Sequence, residues 1–326
     1  MHNNHEFSME DPKPHHSMAS LWIAVLNYAP WIHQVVPVTF MTVPVMLASV
    51  SQGLVTPIII MLVGQRIPIH LGGVALALSW MNLSGFTLIY GLASALDTLC
   101  SQSYGAGEKK QLGLYLQRGI AIGSVTSVMI ALCWWWGADI LKLCGIEPEV
   151  LESTNIFLRI AVIGLFPAMV SEKIKRYMQA QSRLAPVLWT AFGCAILTAG
   201  LGYFLIEVAS FGVYGAGLCY AIIAWLQLLS LVGVIVYFKI HEETWIPWSK
   251  DALNGWSDYL ALGLPGMLHV FLEWAAFEVT LILASWLGSD ILAAQSVMLN
   301  VCYLSFMLPY AISTAVTVLV GNHVGA

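Results

Sequence analysis

The sequence predicts an all-α membrane protein that crosses the bilayer several times. Of its 326 residues, 59% are hydrophobic and only 10% are charged, whereas ordinary soluble domains contain about 25% charged residues. The mean hydropathy is +0.78. The apolar residues also lie in long runs, and a helix that spans the hydrocarbon core needs about 20 residues of this kind.

Eight apolar segments are predicted to span the membrane. They cover residues 35–64, 72–98, 115–137, 153–171, 186–207, 212–238, 256–287 and 291–319. Residues 21–34 are apolar but short and contain Pro30, so we expect them to lie at the membrane interface as a lead-in. Prolines within several spans, such as Pro44 and Pro265, predict bent helices, which suit a transporter that changes shape.

Features typical of a metal site, a disulfide framework or a nucleic-acid partner are weak. Residues 1–20 are polar and contain four histidines: His2, His5, His15 and His16. A disordered cytosolic tail is favoured there over metal binding, and no basic region precedes an apolar core as in a cleavable signal. The six cysteines are scattered without a C-x-x-C pair, which indicates free thiols. There is no basic patch, so we expect no nucleic-acid partner. We also expect no metal and no organic cofactor.

The lysines and arginines predict the orientation. The N-terminal tail and the loops after the second, fourth and sixth spans, with their flanks, hold ten of them, and the opposite side holds three. The ten are Lys13, Lys109, Lys110, Arg118, Lys173, Lys175, Arg176, Arg183, Lys239 and Lys250, and the three are Arg66, Lys142 and Arg159. Because cytosolic loops carry the excess, the N-terminus is predicted to be cytosolic. We expect these side chains to be ordinary solvated loop residues.

An internal repeat is visible at an offset of 220 to 221 residues. The segment 43–47 followed by Gln52 aligns with 264–268 followed by Glu273, and the segment 90–96 aligns with 310–316. Six spans separate the partners, so both copies cross the membrane in the same direction. Such parallel repeats are related by an axis along the membrane normal, with the binding site between the halves.

The repeat predicts the domain organisation. We expect a cytosolic tail and interfacial lead-in at 1–34, a first six-helix lobe at 35–238, a cytosolic linker at 239–255 and the first two helices of a second lobe at 256–326. By this periodicity, four further helices would follow Ala326.

Two acids within the seventh span are the main candidates for a functional site. Glu273 and Glu278 lie in the apolar run 264–287, where an acid costs roughly 2.5–3.5 kcal/mol and usually faces a bundle interior or a cavity. Five residues on a helix turn through about 140°, so the two cannot share one face. The alignment with Gln52 favours Glu273 for the cavity. The alternative for either acid is a buried hydrogen bond with a packing role.

Three stretches resemble the multidrug and toxic compound extrusion (MATE) family, in its eukaryotic branch. They are 91–119, with Ala-Leu-Asp-Thr-Leu and Tyr-Gly-Ala; 264–287, with Leu-Glu-Trp and Phe-Glu; and the ending Gly-Asn-His-Val-Gly-Ala at 321–326. The likeness covers residues 35–326. It implies twelve helices in two lobes around a central cavity, and export of an organic cation or other xenobiotic in exchange for H+ or Na+, without enzyme activity.

The resemblance also implies site residues. Glu273 and Glu278 match acids associated with substrate and proton binding, and Asn82 and Gln52 match positions that line the cavity. Trp274 and Tyr303 could stack on a flat cation, although packing is favoured for each. The place of Asp97 near the end of the second span favours helix capping over a role in a proton path.

Two points depart from the family or leave alternatives open. Leu319 stands where the family often has an arginine. A lipid-linked sugar flippase of the same superfamily is the alternative transporter, but the first, second, seventh and eighth spans contain no lysine or arginine. A non-transporting fragment is the third possibility. Either the plasma membrane or a vacuolar or other internal membrane fits the sequence.

Overall fold

The computed structural model describes residues 32–143, 145–287 and 289–326. The predicted histidine-containing tail and most of the interfacial lead-in at 21–34 lie outside these residues. The described part is helical and contains no strand. Its α-helices are α1 (Ile32–Gly53), α2 (Val55–Arg66), α3 (Leu71–Met81), α4 (Thr87–Gly105), α5 (Lys109–Trp135), α6 (Gly137–Lys142), α7 (Pro148–Ala180), α8 (Leu184–Tyr203), α9 (Gly212–Tyr237), α10 (Trp256–Leu287) and α11 (Ser289–Gly325).

Eight helical spans are long and apolar enough to cross a membrane, which confirms the predicted fold class. In chain order, spans 1 to 8 are Val36–Arg66, Pro68–Gly105, Lys109–Trp135, Pro148–Ala180, Leu184–Val208, Gly212–Tyr237, Trp256–Thr280 and Val301–Gly325. Span 1 is interrupted at Leu54, between α1 and α2. Spans 2 and 5 each contain one π-helical turn, at Asn82–Phe86 and Phe204–Val208.

Spans 2 and 4 extend beyond their predicted ends. Span 2 was expected to end at residue 98 but continues to Gly105, and span 4 was expected to end at residue 171 but continues to Ala180. Both extensions contain polar or charged side chains, which lower the hydropathy on which the prediction rests. In the extension of span 4, Glu172, Lys175 and Arg176 form ion pairs inside the protein.

The segment that joins spans 6 and 7 packs across the ends of spans 3 and 4. Gln117 donates from Nε2 to the carbonyl oxygen of Ile246 at 2.7 Å and accepts from the backbone N–H of Ser249 at 3.2 Å. Thr244 is fully buried and shares a hydrogen bond with the hydroxyl of Tyr177. This segment therefore defines one end of the bundle, here called the linker end, which also holds the last turns of spans 2, 4 and 8.

Spans 2 and 8 cross at the linker end with almost no side chain between them. A Cβ atom at Gly105 would lie 1.9 Å from the carbonyl oxygen of Asn322, and one at Gly325 would lie 2.0 Å from the carbonyl oxygen of Gln102. Gly105 and Gly325 are separated by the repeat offset of 220 residues, and so are Gln102 and Asn322. Each contact is thus the image of the other, which is the reciprocity expected of a parallel repeat with two-fold symmetry.

Candidate functional site

A cluster of charged side chains lies inside the bundle on the last turns of span 4. The exposed fractions of Glu172, Lys173, Lys175 and Arg176 are 4%, 1%, 7% and 7%. Charged side chains are almost never this buried unless they are paired. Burying an unpaired charge is costly, so the helix can place them here only with partners from neighbouring spans.

Glu172 and Arg176 organise this cluster. Glu172 makes an ion pair with Lys175 and accepts a hydrogen bond from Nε of Arg176 at 3.1 Å. Arg176 also donates from Nη1 to Asp97 of span 2 at 2.9 Å and from Nη2 to the hydroxyl of Tyr310 of span 8 at 2.9 Å. The planar guanidinium has donors on three sides, so one arginine joins three helices.

The two lysines reach spans 1 and 2. Lys175 donates from Nζ to Oε1 of Gln52 at 2.6 Å. Lys173 donates from Nζ to the carbonyl oxygen of Ile89 at 3.1 Å. The ammonium of Lys175 can only donate, so the amide oxygen of Gln52 must face it. Gln52, expected from the sequence to line the cavity, is therefore held in one orientation by span 4.

Two sequence predictions about these residues are wrong. Lys173, Lys175 and Arg176 were expected to be solvated loop residues, but they are buried and paired. Arg118, also placed among the solvated residues, is only 8% exposed. Asp97 does not cap a helix end, because α4 continues two further turns to Gly105. Its carboxylate pairs instead with an arginine 79 residues away in sequence, which no local pattern could predict.

A row of aromatic rings lies on the side of span 2 that faces span 7. It consists of Phe86 and Tyr90 of span 2 and Trp274 of span 7, and is here called the aromatic row. The rings of Trp274 and Tyr90 lie 6.0 Å apart between centroids, and Tyr90 stacks on Phe86 at 5.9 Å. Tyr303 of span 8 rests against span 1, where a Cβ at Gly53 would lie 2.4 Å from its hydroxyl oxygen. Trp274 and Tyr303 thus approach spans 2 and 1, the spans that contain Asn82 and Gln52.

Glu273 and Glu278 differ from the acids of the buried cluster. Both are half-buried on α10, and neither forms a hydrogen bond or ion pair with another residue that the structure describes. Glu273 directly precedes Trp274 in the chain, and the ring of Trp274 contacts Tyr90. Among the described residues, these two carboxylates therefore lack the basic partners that the acids of the cluster have.

Asn82 begins the π-helical turn of span 2. The turn Asn82–Phe86 closes with the N–H of Thr87 bonded to the carbonyl oxygen of Asn82. Single π-turns inside α-helices occur often at functional sites. Trp134 packs here, with Nε1 donating to Ser84 at 3.2 Å, and a Cβ at Gly85 would lie 2.5 Å from its ring. The turn accommodates this large side chain and ends at Phe86 of the aromatic row.

The structure brings together some of the predicted residues and leaves others apart. Gln52 and Asp97 are joined through the cluster on span 4, and Trp274 is part of the aromatic row. Glu273, Glu278 and Asn82 make no side-chain hydrogen bond to that cluster within the described residues. Glu172 and its ion pairs with Lys175 and Arg176 were not predicted from the sequence. Their spacing was an available indication, since residues three and four apart on a helix share a face.

One groove lies apart from these residues, on another side of the molecule. It encloses about 780 Å³ beside spans 5 and 6 and is lined mainly by apolar side chains such as Trp189, Leu197 and Phe238. None of the predicted site residues lines it. Its position on the outer surface of these spans separates it from the charged cluster.

Comparisons with known proteins identify the family. The MatE family model matches residues 44–204 and 265–326. Protein DETOXIFICATION 48 of Arabidopsis thaliana is 30% identical over 261 residues, covering 79% of this chain and 49% of that protein. Multidrug and toxin extrusion protein 1 of Danio rerio is 32% identical over 262 residues, covering 79% and 44%. The chain therefore spans about half the length of these relatives.

Solved structures show the same fold. The eukaryotic MATE transporter AtDTX14 superposes with a TM-score of 0.85 at 24% identity, covering 91% of this chain and 66% of that one. A transporter of the MOP superfamily from Pyrococcus furiosus superposes with a TM-score of 0.74 at 17% identity, covering 89% and 64%. With eight apolar helical spans, a matching family model and these relatives, the chain belongs to the MatE family of multidrug and toxic compound extrusion transporters and is a multi-pass integral membrane protein.

Proposed function

We propose that the protein exports organic cations or related xenobiotics by antiport with H+ or Na+, and that Glu273 is the carboxylate at which the two ligands exchange. One observation carries the proposal. The buried acids Glu172 and Asp97 are paired with basic residues, whereas Glu273 and Glu278 are half-buried in a membrane span without a described partner. An acid within a membrane span is costly, and such acids usually face a bundle interior or a water-filled cavity and mark a substrate or ion pathway.

The span that holds Glu273 also offers an aromatic ring for a flat organic cation. The neighbouring Trp274 contacts Tyr90, and aromatic faces attract cations within about 6 Å of the ring. An ionised Glu273 would balance the charge of a bound cation. A proton or Na+ that binds the same carboxylate would compete with it, so arrival of the ion on one side of the membrane would release the substrate there.

The orientation follows from the corrected charge distribution. Removing the buried Arg118, Lys173, Lys175 and Arg176 from the ten basic residues assigned to the tail and the even-numbered loops leaves six, against three on the opposite side. The bias keeps its sign, so the linker end would face the cytosol. Substrate would then enter from the linker end and leave at the end that holds Arg66.

Flipping of a lipid-linked sugar is the second candidate. It would use cationic side chains along the pathway, and Lys175 and Arg176 do reach spans 1 and 8 from span 4. Both are nevertheless buried and bonded to Glu172. Their positive charges are therefore already neutralised and would not bind a lipid pyrophosphate. The acids Glu273 and Glu278, which have no described partner, favour a cationic ligand instead.

Equilibrium binding tests the proposal without requiring transport. The purified chain in lipid nanodiscs is titrated with a fluorescent organic cation, and the fluorescence change gives the Kd. Glu273→Gln should weaken binding at least about 10-fold, since a charged hydrogen-bond or ion-pair partner is lost. Glu152→Gln makes the same chemical change at an exposed position of span 4 and should leave the Kd unchanged. Equal Kd values for wild type and Glu273→Gln would refute the proposal.

A further inference from the structure

We propose that Arg176 is a positioning residue that ties the first six spans to span 8, and that the linker end opens only when its bond to Tyr310 breaks. The inference rests on the proposed function in one respect, that transport requires the halves to separate at each end in turn. The bond from Nη2 of Arg176 to the hydroxyl of Tyr310 is 2.9 Å long.

Few polar contacts cross between the two parts of the molecule. Within the described residues, two side-chain hydrogen bonds join spans 1 to 6 to spans 7 and 8. They are the Arg176–Tyr310 bond and a 2.8 Å bond from the hydroxyl of Tyr259 to the carbonyl oxygen of Leu92. Only the first has a charged donor, and such bonds are about twice as strong as neutral ones.

The remainder of this interface is a close approach of helices at small residues. A Cβ at Gly266 would lie 2.2 Å from the hydroxyl oxygen of Ser94, and one at Gly321 would lie 1.9 Å from that of Ser101. Packing of this kind is stabilised by van der Waals contact between closely spaced helices and contains no charged group. Among the described residues, Arg176 therefore supplies the charged hydrogen bond of an interface that is otherwise held by the Tyr259–Leu92 bond and by close packing.

The bond can break without stranding a charge. When Tyr310 moves away, Arg176 keeps its bonds to Glu172 at 3.1 Å and Asp97 at 2.9 Å. Removing one partner of a buried charge is strongly destabilising only when the charge is left uncompensated. The two carboxylates thus hold the guanidinium in place on the first six spans, and the phenol of span 8 is the partner that can leave.

Thiol accessibility tests the role of the Arg176–Tyr310 bond independently of transport. Ser101 is fully buried beneath Gly321, so Ser101→Cys places a thiol that is shielded while spans 2 and 8 touch. In this variant the native cysteines except Cys219 are replaced by alanine, and the chain in nanodiscs reacts with a polar maleimide. Cys219 is fully buried within the first six spans and reports loss of fold.

Tyr310→Phe should raise the labelling rate at position 101 about 10-fold, the factor expected for one hydrogen bond to a charged group, with Cys219 still unreactive. Ser305→Ala removes a hydroxyl from an exposed position of the same span, where it bonds only to the carbonyl oxygen of Val301 in its own helix, and it should change neither labelling rate. Arg176→Lys removes the forked donors of the guanidinium, so its labelling rate at position 101 should equal that of Tyr310→Phe. The double variant should show no further increase in this rate.

Three results would overturn the inference: an unchanged rate at position 101 in Tyr310→Phe, additive effects of Tyr310→Phe and Arg176→Lys, or a parallel rise at Cys219. If the labelling rates change as predicted but no organic cation binds, the role of the Arg176–Tyr310 bond is supported and the proposed function is refuted. If cations bind but Tyr310→Phe does not change the labelling rate, the proposed function stands and the role of the Arg176–Tyr310 bond is refuted.

Discussion

Replacing Glu172 by glutamine should be among the most destabilising single changes in this protein. The side chain is 5% exposed and compensates both Lys175 and Arg176, so little solvent screening reduces the effect. After neutralisation, three buried cations would face one remaining acid, Asp97. Breaking a buried pair by removing one partner costs about 3–5 kcal/mol, and we expect the free energy of unfolding to fall by that amount.

Unfolding of the chain in mixed micelles by dodecyl sulfate, followed by tryptophan fluorescence, measures this free energy. Glu207→Gln is the matched control, because its ion pair with Arg66 is 3.0 Å long but both side chains are more than a third exposed, and such pairs contribute about 1 kcal/mol or less. Adding Lys175→Met to Glu172→Gln removes one stranded cation and should recover about 1–3 kcal/mol. A loss below about 1 kcal/mol for Glu172→Gln would contradict the assignment of Glu172 as the counter-ion.

Two further stability predictions use the same assay. Trp134→Ala removes a fully buried indole that contacts Gly85 and donates to Ser84, and it should cost about 3–5 kcal/mol; a cost under about 1 kcal/mol would mean that the π-turn does not depend on this ring. Gly105→Leu would force spans 2 and 8 apart, because even a Cβ would lie 1.9 Å from the carbonyl oxygen of Asn322. It should destabilise by at least about 1–3 kcal/mol, whereas Gly233→Leu, whose site is open, should have no such effect.

The apolar runs were sufficient to predict the number of spans, because membrane helices satisfy their own backbone hydrogen bonds and so depend mainly on length and hydropathy. The contacts of Gly105 and Gly325 are related by the same repeat offset, but they were not predicted from the sequence. Motif resemblance indicated the MATE family, which the family model and the relatives bear out.

The end of span 4 shows where such reasoning fails. A hydropathy window treats Lys173, Lys175 and Arg176 as evidence of a loop, since it counts charge but has no information about partners. Those partners, Ile89, Gln52 and Asp97, are 79 to 123 residues away in sequence. Only tertiary packing brings them close, so the buried cluster could be suspected from the helical spacing of Glu172 and Arg176 but not established from it.

The assignment of Glu273 remains a prediction that the sequence and the structure both support. The sequence contributed its place in an apolar span and its alignment with Gln52. The structure adds that Gln52 is bonded to Lys175, whereas Glu273 has no partner among the described residues. The matched positions of the repeat therefore differ in chemistry: one holds an amide bonded to a lysine, and the other holds an acid without a partner among the described residues.

Proton release on ligand binding tests the exchange at Glu273 most directly. The chain in nanodiscs, in weakly buffered solution with a pH indicator, is mixed with a saturating organic cation, with and without Na+, across acidic to neutral pH. Competition of proton and cation for one carboxylate predicts that binding releases protons in part of this range, or displaces Na+ where Na+ is the coupling ion. Glu273→Gln should abolish that release, whereas Glu152→Gln should retain it. Cation binding by the wild-type chain that displaces neither ion, or proton release that persists in Glu273→Gln, would contradict the account.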